Sequence, residues 1–217
     1  MRRVWAILAM VMTGGMVSLS AEGATPQYHF ADIGTLGGFT SGLFSINSSG
    51  TAVGYSYTAA RDHSHLIVFS GGVMTDLGLL LGGDTSGNAI SNAGQLAGRA
   101  ETSSGTPHGF VYSAGVTTDL RPLGMDTANA INSAGQAAGM TVNEHPALYS
   151  GGVVTDMGVS GEALGINDSA VVVGYYSTGA YDPLSNAIVH GFAYLGGAVT
   201  DLGSLGGTQG QIGRAHV

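Results

Sequence analysis

Four histidines each stand 11 residues before an aspartate: His65/Asp76, His108/Asp119, His145/Asp156 and His190/Asp201. Imidazole and carboxylate at a fixed spacing are the residue types of metal ligation and of general acid–base chemistry. Ligands of one ion must converge on one point. Residues that recur once per repeat are spread along a stack or around a ring. The pattern therefore reads as a structural hydrogen-bonded pair or as caps on strand ends, with no metal and no other cofactor.

The elements that carry these pairs repeat as well. Asp32, Asp76, Asp119, Asp156 and Asp201 follow one another at spacings of 44, 43, 37 and 45 residues. A second block recurs as "INSSGTAVG" from Ile46, "ISNAGQLAG" from Ile90, "INSAGQAAG" from Ile131 and "INDSAVVVG" from Ile166. The chain thus holds four full repeats of about 37–45 residues and the start of a fifth, in one domain over residues 28–210.

Each repeat parses into two hairpins. In "HGFVY" the alternation puts His108, Phe110 and Tyr112 on one face of a strand. Gly72, Gly115, Gly152 and Gly197 then predict a three-residue loop, a type I turn closed by a residue of positive φ. In the second block Asn47, Asn132 and Asn167 open a turn that Gly50, Gly94 and Gly135 close, with Ser91 and Ala170 as departures. Four short strands per repeat predict an all-β, β-propeller-like array of four-stranded repeats, incomplete at the C-terminus. A β-solenoid is the alternative. Neither hairpin hides both of its faces alone, so stacked copies must cover one another.

Composition agrees. The 217 residues include 38 Gly, only 9% are charged, and Lys and Cys are absent. Residues 1–21 read as a secretory signal peptide: Arg2 and Arg3, an apolar run, then small residues. After its removal, and apart from the last seven residues, Arg61, Arg99 and Arg121 are the remaining fixed positive charges. So acidic a chain repels nucleic acid and anionic membranes, and no later segment predicts a membrane span. The expected location is extracellular, at the cell surface or in the periplasm. Residues 211–217, "QIGRAHV", break the repeat and match the translation of a common sequencing adapter, so a non-native tail is expected.

The combination of "DIGTLGG", "DLGLLLGG" and "DLGSLGG" with the four Ile-Asn-x-x-Gly-type blocks resembles the HAF repeats of bacterial extracellular proteins. The resemblance covers about residues 29–208. The name-giving triplet is degenerate, as "HLI", "HGF", "HPA" and "HGF", and repeats three and four read "DLRPLGM" and "DMGVSGE". The resemblance implies export and a repeat fold, and it transfers no catalytic residue.

Asp62, Asp84, Glu101, Asp126, Glu144, Glu162, Asp168 and Asp182 fall outside the repeating Asp column. A glycosidase needs two carboxylates roughly 5–10 Å apart, and spacing alone brings no two of these together. The stretch between the closing Gly of each block and the next His varies, with 10, 9, 5 and 15 intervening residues. The longest reads as a loop carrying Tyr175, Tyr176, Tyr181 and Asp182, residue types suited to contacts with an extracellular glycan or protein. The functional expectation is a secreted, non-catalytic binding or surface-structural protein. The alternative is a propeller-type hydrolase or lyase acting on polysaccharide.

Overall fold

The computed structural model describes residues 31–60 and 62–204. The signal peptide, Arg61, the start of the fifth repeat beyond Ser204 and the C-terminal tail lie outside the described residues.

Sixteen strands form four antiparallel four-stranded sheets, each in sequence order. The first holds β1 (Gly37–Ile46), β2 (Ala52–Thr58), β3 (Ser64–Ser70) and β4 (Val73–Gly78). The second holds β5 (Gly82–Ile90), β6 (Leu96–Thr102), β7 (Pro107–Ser113) and β8 (Val116–Asp119). A 3-10 turn, Arg121–Leu123, leads into the third: β9 (Met125–Ile131), β10 (Ala137–Thr141), β11 (Pro146–Ser150) and β12 (Val153–Asp156). The fourth holds β13 (Gly161–Ile166), β14 (Val172–Tyr181), β15 (Ala187–Leu195) and β16 (Ala198–Gly203). The chain is all-β, a β-propeller-like array in which no sheet closes into a barrel.

The sheets bury their apolar faces against one another in succession. Val53 and Leu66 of the first sheet pack with Ile90, Leu96 and Phe110 of the second. Ala97, Val111 and Leu120 of the second pack with Met125, Ala128 and Ala147 of the third. Ala138 of the third packs with Ala163, Val172 and Phe192 of the fourth. Mostly small and medium side chains fill these seams, which suits backbones that approach closely.

A close approach within each sheet explains the closing glycine of the Ile-Asn block. A Cβ on Gly54, Gly98, Gly139 or Gly174 would overlap the carbonyl oxygen of Gly42, Ser86, Thr127 or Glu162 on the adjoining inner strand. A β-bulge in that inner strand lies beside each contact. On Gly98 and Gly174 the ring of Phe110 or Phe192 lies across the glycine. On Gly139 the Met125 methyl lies there instead. Two departures of the third repeat, Ala147 in place of Phe and Met125 in place of Gly, are thus one compensating exchange of volume.

The outer hairpins correct the turn expected from sequence. Ser70 pairs with Val73, Ser113 with Val116, Ser150 with Val153 and Leu195 with Ala198, so each loop has two residues and not three. Both loop residues have positive φ, as at Gly71 and Gly72 (58° and 83°) and at Ala114 and Gly115 (51° and 84°). This is the type I′ geometry, whose twist matches that of paired strands, whereas a type I turn would splay them. The three-residue design appears in the Ile-Asn turns, where the Gly50 amide donates to the Asn47 carbonyl and the Asn47 amide to the Thr51 carbonyl.

Gly98→Ala is expected to destabilise the protein by about 1–3 kcal/mol, because the added methyl meets backbone and a packed ring. Chemical denaturation of the variant beside Gly94→Ala checks this. Open space surrounds Gly94, so that variant carries only the cost of its positive φ.

Candidate functional site

Chain direction sorts the turns between two ends of the array. The Ile-Asn turns and the outer type I′ turns lie at one end. The hairpins β2–β3, β6–β7, β10–β11 and β14–β15 turn at the other, where the His–Asp pairs also stand.

In every sheet the His Nδ1 lies 2.9–3.1 Å from both carboxylate oxygens of its Asp. The Asp stands opposite the residue two beyond the His: Asp119 faces Phe110, and Asp201 faces Phe192. The carboxylate therefore reaches diagonally to Nδ1, whose N–H donates. One carboxylate oxygen of each Asp also accepts the backbone amide two residues on, from Gly78, Arg121, Gly158 or Gly203. Each pair closes the end of its outer hairpin, one pair to a sheet. Among the described residues no three His, Cys, Asp or Glu side chains gather to hold a metal.

At the far end the Ile-Asn turns link sheet to sheet. Asn47 Oδ1 accepts the amides of Ser49 and Thr51, and Asn132 and Asn167 Oδ1 do the same in their own turns. The amide groups reach onward: Asn47 Nδ2 donates to the Ser91 carbonyl and Asn132 Nδ2 to the Asn167 carbonyl. The Ser48 amide donates to Asn92 Oδ1, and the Ser133 amide to Asp168 Oδ1. Farther along the inner strands, Asn88 Nδ2 donates to Ala128 O and Asn129 Nδ2 to Ala163 O. These turns and strand ends, from all four sheets, surround one cavity of about 260 Å³. Its polar lining includes Asn47, Asn92, Asn129, Asn132, Asn167 and Asp168, and Ile46, Ile90, Ile131 and Ile166 contribute apolar surface beside them.

Three of the acids read as outside the repeat form a series of their own. Asp84, Asp126 and Glu162 stand near the start of successive inner strands, staggered by one residue from sheet to sheet relative to the glycine column, and the first sheet has Phe39 in that stretch. Asp84 accepts from the Ser64 amide at 2.5 Å and from the Ser64 hydroxyl. Asp126 pairs with Arg121, whose guanidinium also donates to the Pro107 carbonyl. Pro107 has no amide to offer, and Arg121 spans the gap. Glu162 accepts from Asn129 Nδ2 and the Tyr175 hydroxyl. The "GGD", "GMD" and "SGE" triplets carried this signal, but substitution by Phe in "GGF" concealed the series.

The Tyr-bearing segment read as the longest loop is an extended hairpin. Tyr175 pairs with Gly191, Tyr176 with His190 and Ser177 with Val189, and the pairing resumes at Tyr181 with Ala187. β-Branched and aromatic residues on both arms favour that extension. Asp182 opens the remaining tight turn, its carboxylate accepting the amides of Leu184 and Asn186 and the Asn186 side chain. The Tyr176 phenol is raised above its ordinary range by burial and then by Asp201, and its ring meets His190 edge-on, with centroids 6.1 Å apart. Burial and then the Glu162 carboxylate push the Tyr175 phenol above its ordinary range. Tyr175 and Tyr176 are thus engaged within their own sheet, whereas Tyr181 is exposed.

A comparison with models of known protein families and with curated proteins finds no match for the chain.

His108→Ala should lower stability by about 1–2 kcal/mol, because it leaves a partly buried carboxylate without its donor. His108 is 17% exposed, the least of the four, so His145→Ala should cost less. Thermal melts of both variants, with and without a chelator, check this; a metal role would make the parent chelator-sensitive.

Asp182 is held below the ordinary carboxylate range by the Asn186 side chain and by backbone amides. Asp201 is held there by the Gly203 amide and then His190. A carboxyl whose folded value is depressed stabilises the protein above its unfolded value of about 4. That stability is lost as pH falls through the folded value. Melts on the acid side of about pH 4 should therefore fall steeply, and Asp201→Asn should flatten the fall.

Proposed function

We propose that this is a secreted, non-catalytic binding or surface-structural repeat protein, similar to the HAF-repeat proteins, whose ligand site is the cavity among the Ile-Asn turns. The observation that carries the reading is the convergence of all four inner strands on one cavity that joins amide and hydroxyl side chains with the apolar Ile46, Ile90, Ile131 and Ile166. Such a lining pairs a few amide and hydroxyl groups with apolar surface and carries little charge, which suits a small neutral ligand such as a sugar residue, with its hydroxyls and apolar C–H face.

The chemistry of the acids supports binding over hydrolysis. Asp168 is the one acid among the described residues of the lining, and the Ser133 amide and hydroxyl hold it. Asp84, Asp126 and Glu162 are spent on joining sheets and strands. A glycosidase mechanism needs a second carboxylate facing the same cavity in a different environment.

Ser169 is exposed on the rim, so Ser169→Trp should obstruct the cavity and leave the fold intact. In a thermal-shift screen of mono- and disaccharides, at least one should raise the melting temperature of the parent and not of the variant. Equal stabilisation of both proteins would count against the cavity. Release of reducing ends from polysaccharide would favour the enzyme.

A further inference from the structure

The first sheet alone gathers rings at four neighbouring positions. Phe39 follows the Gly pair that opens the first inner strand, as Asp84 follows the pair that opens the second, and Phe44 stands where the later sheets carry Asn88, Asn129 and Leu164. On the paired strand, Tyr55 stands where the later sheets have Arg99, Met140 and Tyr175, and Tyr57 where they have Glu101, Val142 and Ser177. Asn88 and Asn129, which tie sheet to sheet, are here replaced by the ring of Phe44.

These four rings form one stripe across β1 and β2. Phe39 stacks on Tyr57 with centroids 4.6 Å apart, and Phe44 on Tyr55 with centroids 5.6 Å apart. Tyr55 meets Tyr57 edge-on at 6.3 Å, joining the two stacks. None of the four belongs to the apolar seams between sheets. Phe39 is 62% exposed and Phe44 48% exposed, unlike the buried Phe110 and Phe192. Large rings held by stacking yet open to solvent are costly to retain without something to cover them.

The surroundings choose the occupant. Partial burial, and then the Asp84 carboxylate with Tyr55 and Glu101, push the Tyr57 phenol above its ordinary range, so that end of the stripe lies in a negative field. The formal charge of the chain is −8. An anionic polymer is repelled there. A pyranose offers an apolar C–H face to a ring and a rim of hydroxyls to nearby carboxylates, and it brings no negative charge. We propose that Phe39, Phe44, Tyr55 and Tyr57 form a stacking platform for a neutral polysaccharide chain. This rests on the same non-catalytic reading, but on a different surface from the cavity.

The test titrates the purified secreted protein by calorimetry against laminarihexaose, cellohexaose and chitohexaose, with polygalacturonate as the anionic comparison. The parent should bind at least one neutral hexamer and bind polygalacturonate more weakly. Phe39→Ala should reduce that affinity about tenfold, as loss of one stacking ring does, while Phe39→Trp should keep it. Phe39 is exposed, so its removal should leave the melting temperature unchanged, and this holds even if Tyr57→Ala fails to fold. Binding lost in Ser169→Trp but kept in Phe39→Ala would overturn the platform and favour the cavity. Binding lost in Phe39→Ala but kept in Ser169→Trp would support the platform and leave the cavity to its own screen. Failure of all three hexamers to bind, or tighter binding of polygalacturonate, would overturn the platform.

Discussion

A four-stranded sheet of this sequence hides an apolar face only against a neighbouring copy. Val53 and Leu66 have no second layer within their own repeat; Leu96 and Phe110 of the next repeat supply it. The narrow seams demand small residues and closely spaced backbones. The glycine column and its bulges bring each inner strand close to its partner within the sheet, and the paired exchange of Phe for Ala147 and Gly for Met125 shows the seam volume being conserved. Turn chemistry and His–Asp pairing keep the strands of each sheet in register, and the polar contacts between sheets keep each sheet in register with the next.

Much of this was legible in the sequence because it repeats. The fixed His-to-Asp distance located the outer hairpins, and the Ile-Asn blocks located the inner turns. What repetition did not convey was backbone twist. Gly71 and Gly72 both adopt positive φ, and the pair is readable as a two-residue turn only once the strand register places Ser70 opposite Val73. The Tyr175–Tyr181 segment misled for a related reason. Its Ser, Thr and Gly residues carry the composition of a loop, yet the partner run "AIV" gives them a strand to pair with.

The candidate sites were harder to read. Cavity-lining residues such as Asn92 and Ser169 are separated by whole repeats, and only the topology brings them to one end. The aromatic stripe escaped notice because Phe39 and Phe44 lie in a glycine-rich stretch without strict alternation. Departures from a repeat are informative only after the repeat is aligned strand by strand, as the Asp84, Asp126 and Glu162 series also shows.

The side-chain amides between inner strands run in one direction. Asn47, Asn88, Asn129 and Asn132 each donate forward, and each acceptor is a backbone carbonyl of the following sheet. A backbone acceptor is supplied by any residue, so at these carbonyls the receiving sheet is free to drift in sequence, whereas Asn92, Asp168 and Glu162 receive the preceding sheet through their side chains. Ser91 replaces Asn in the second turn and still receives its neighbour through its carbonyl. A tandem gene duplication would therefore arrive with a compatible socket already in place and need only its own forward-reaching amide. Such one-way joints let an array lengthen by copying without the old and new copies first having to coevolve.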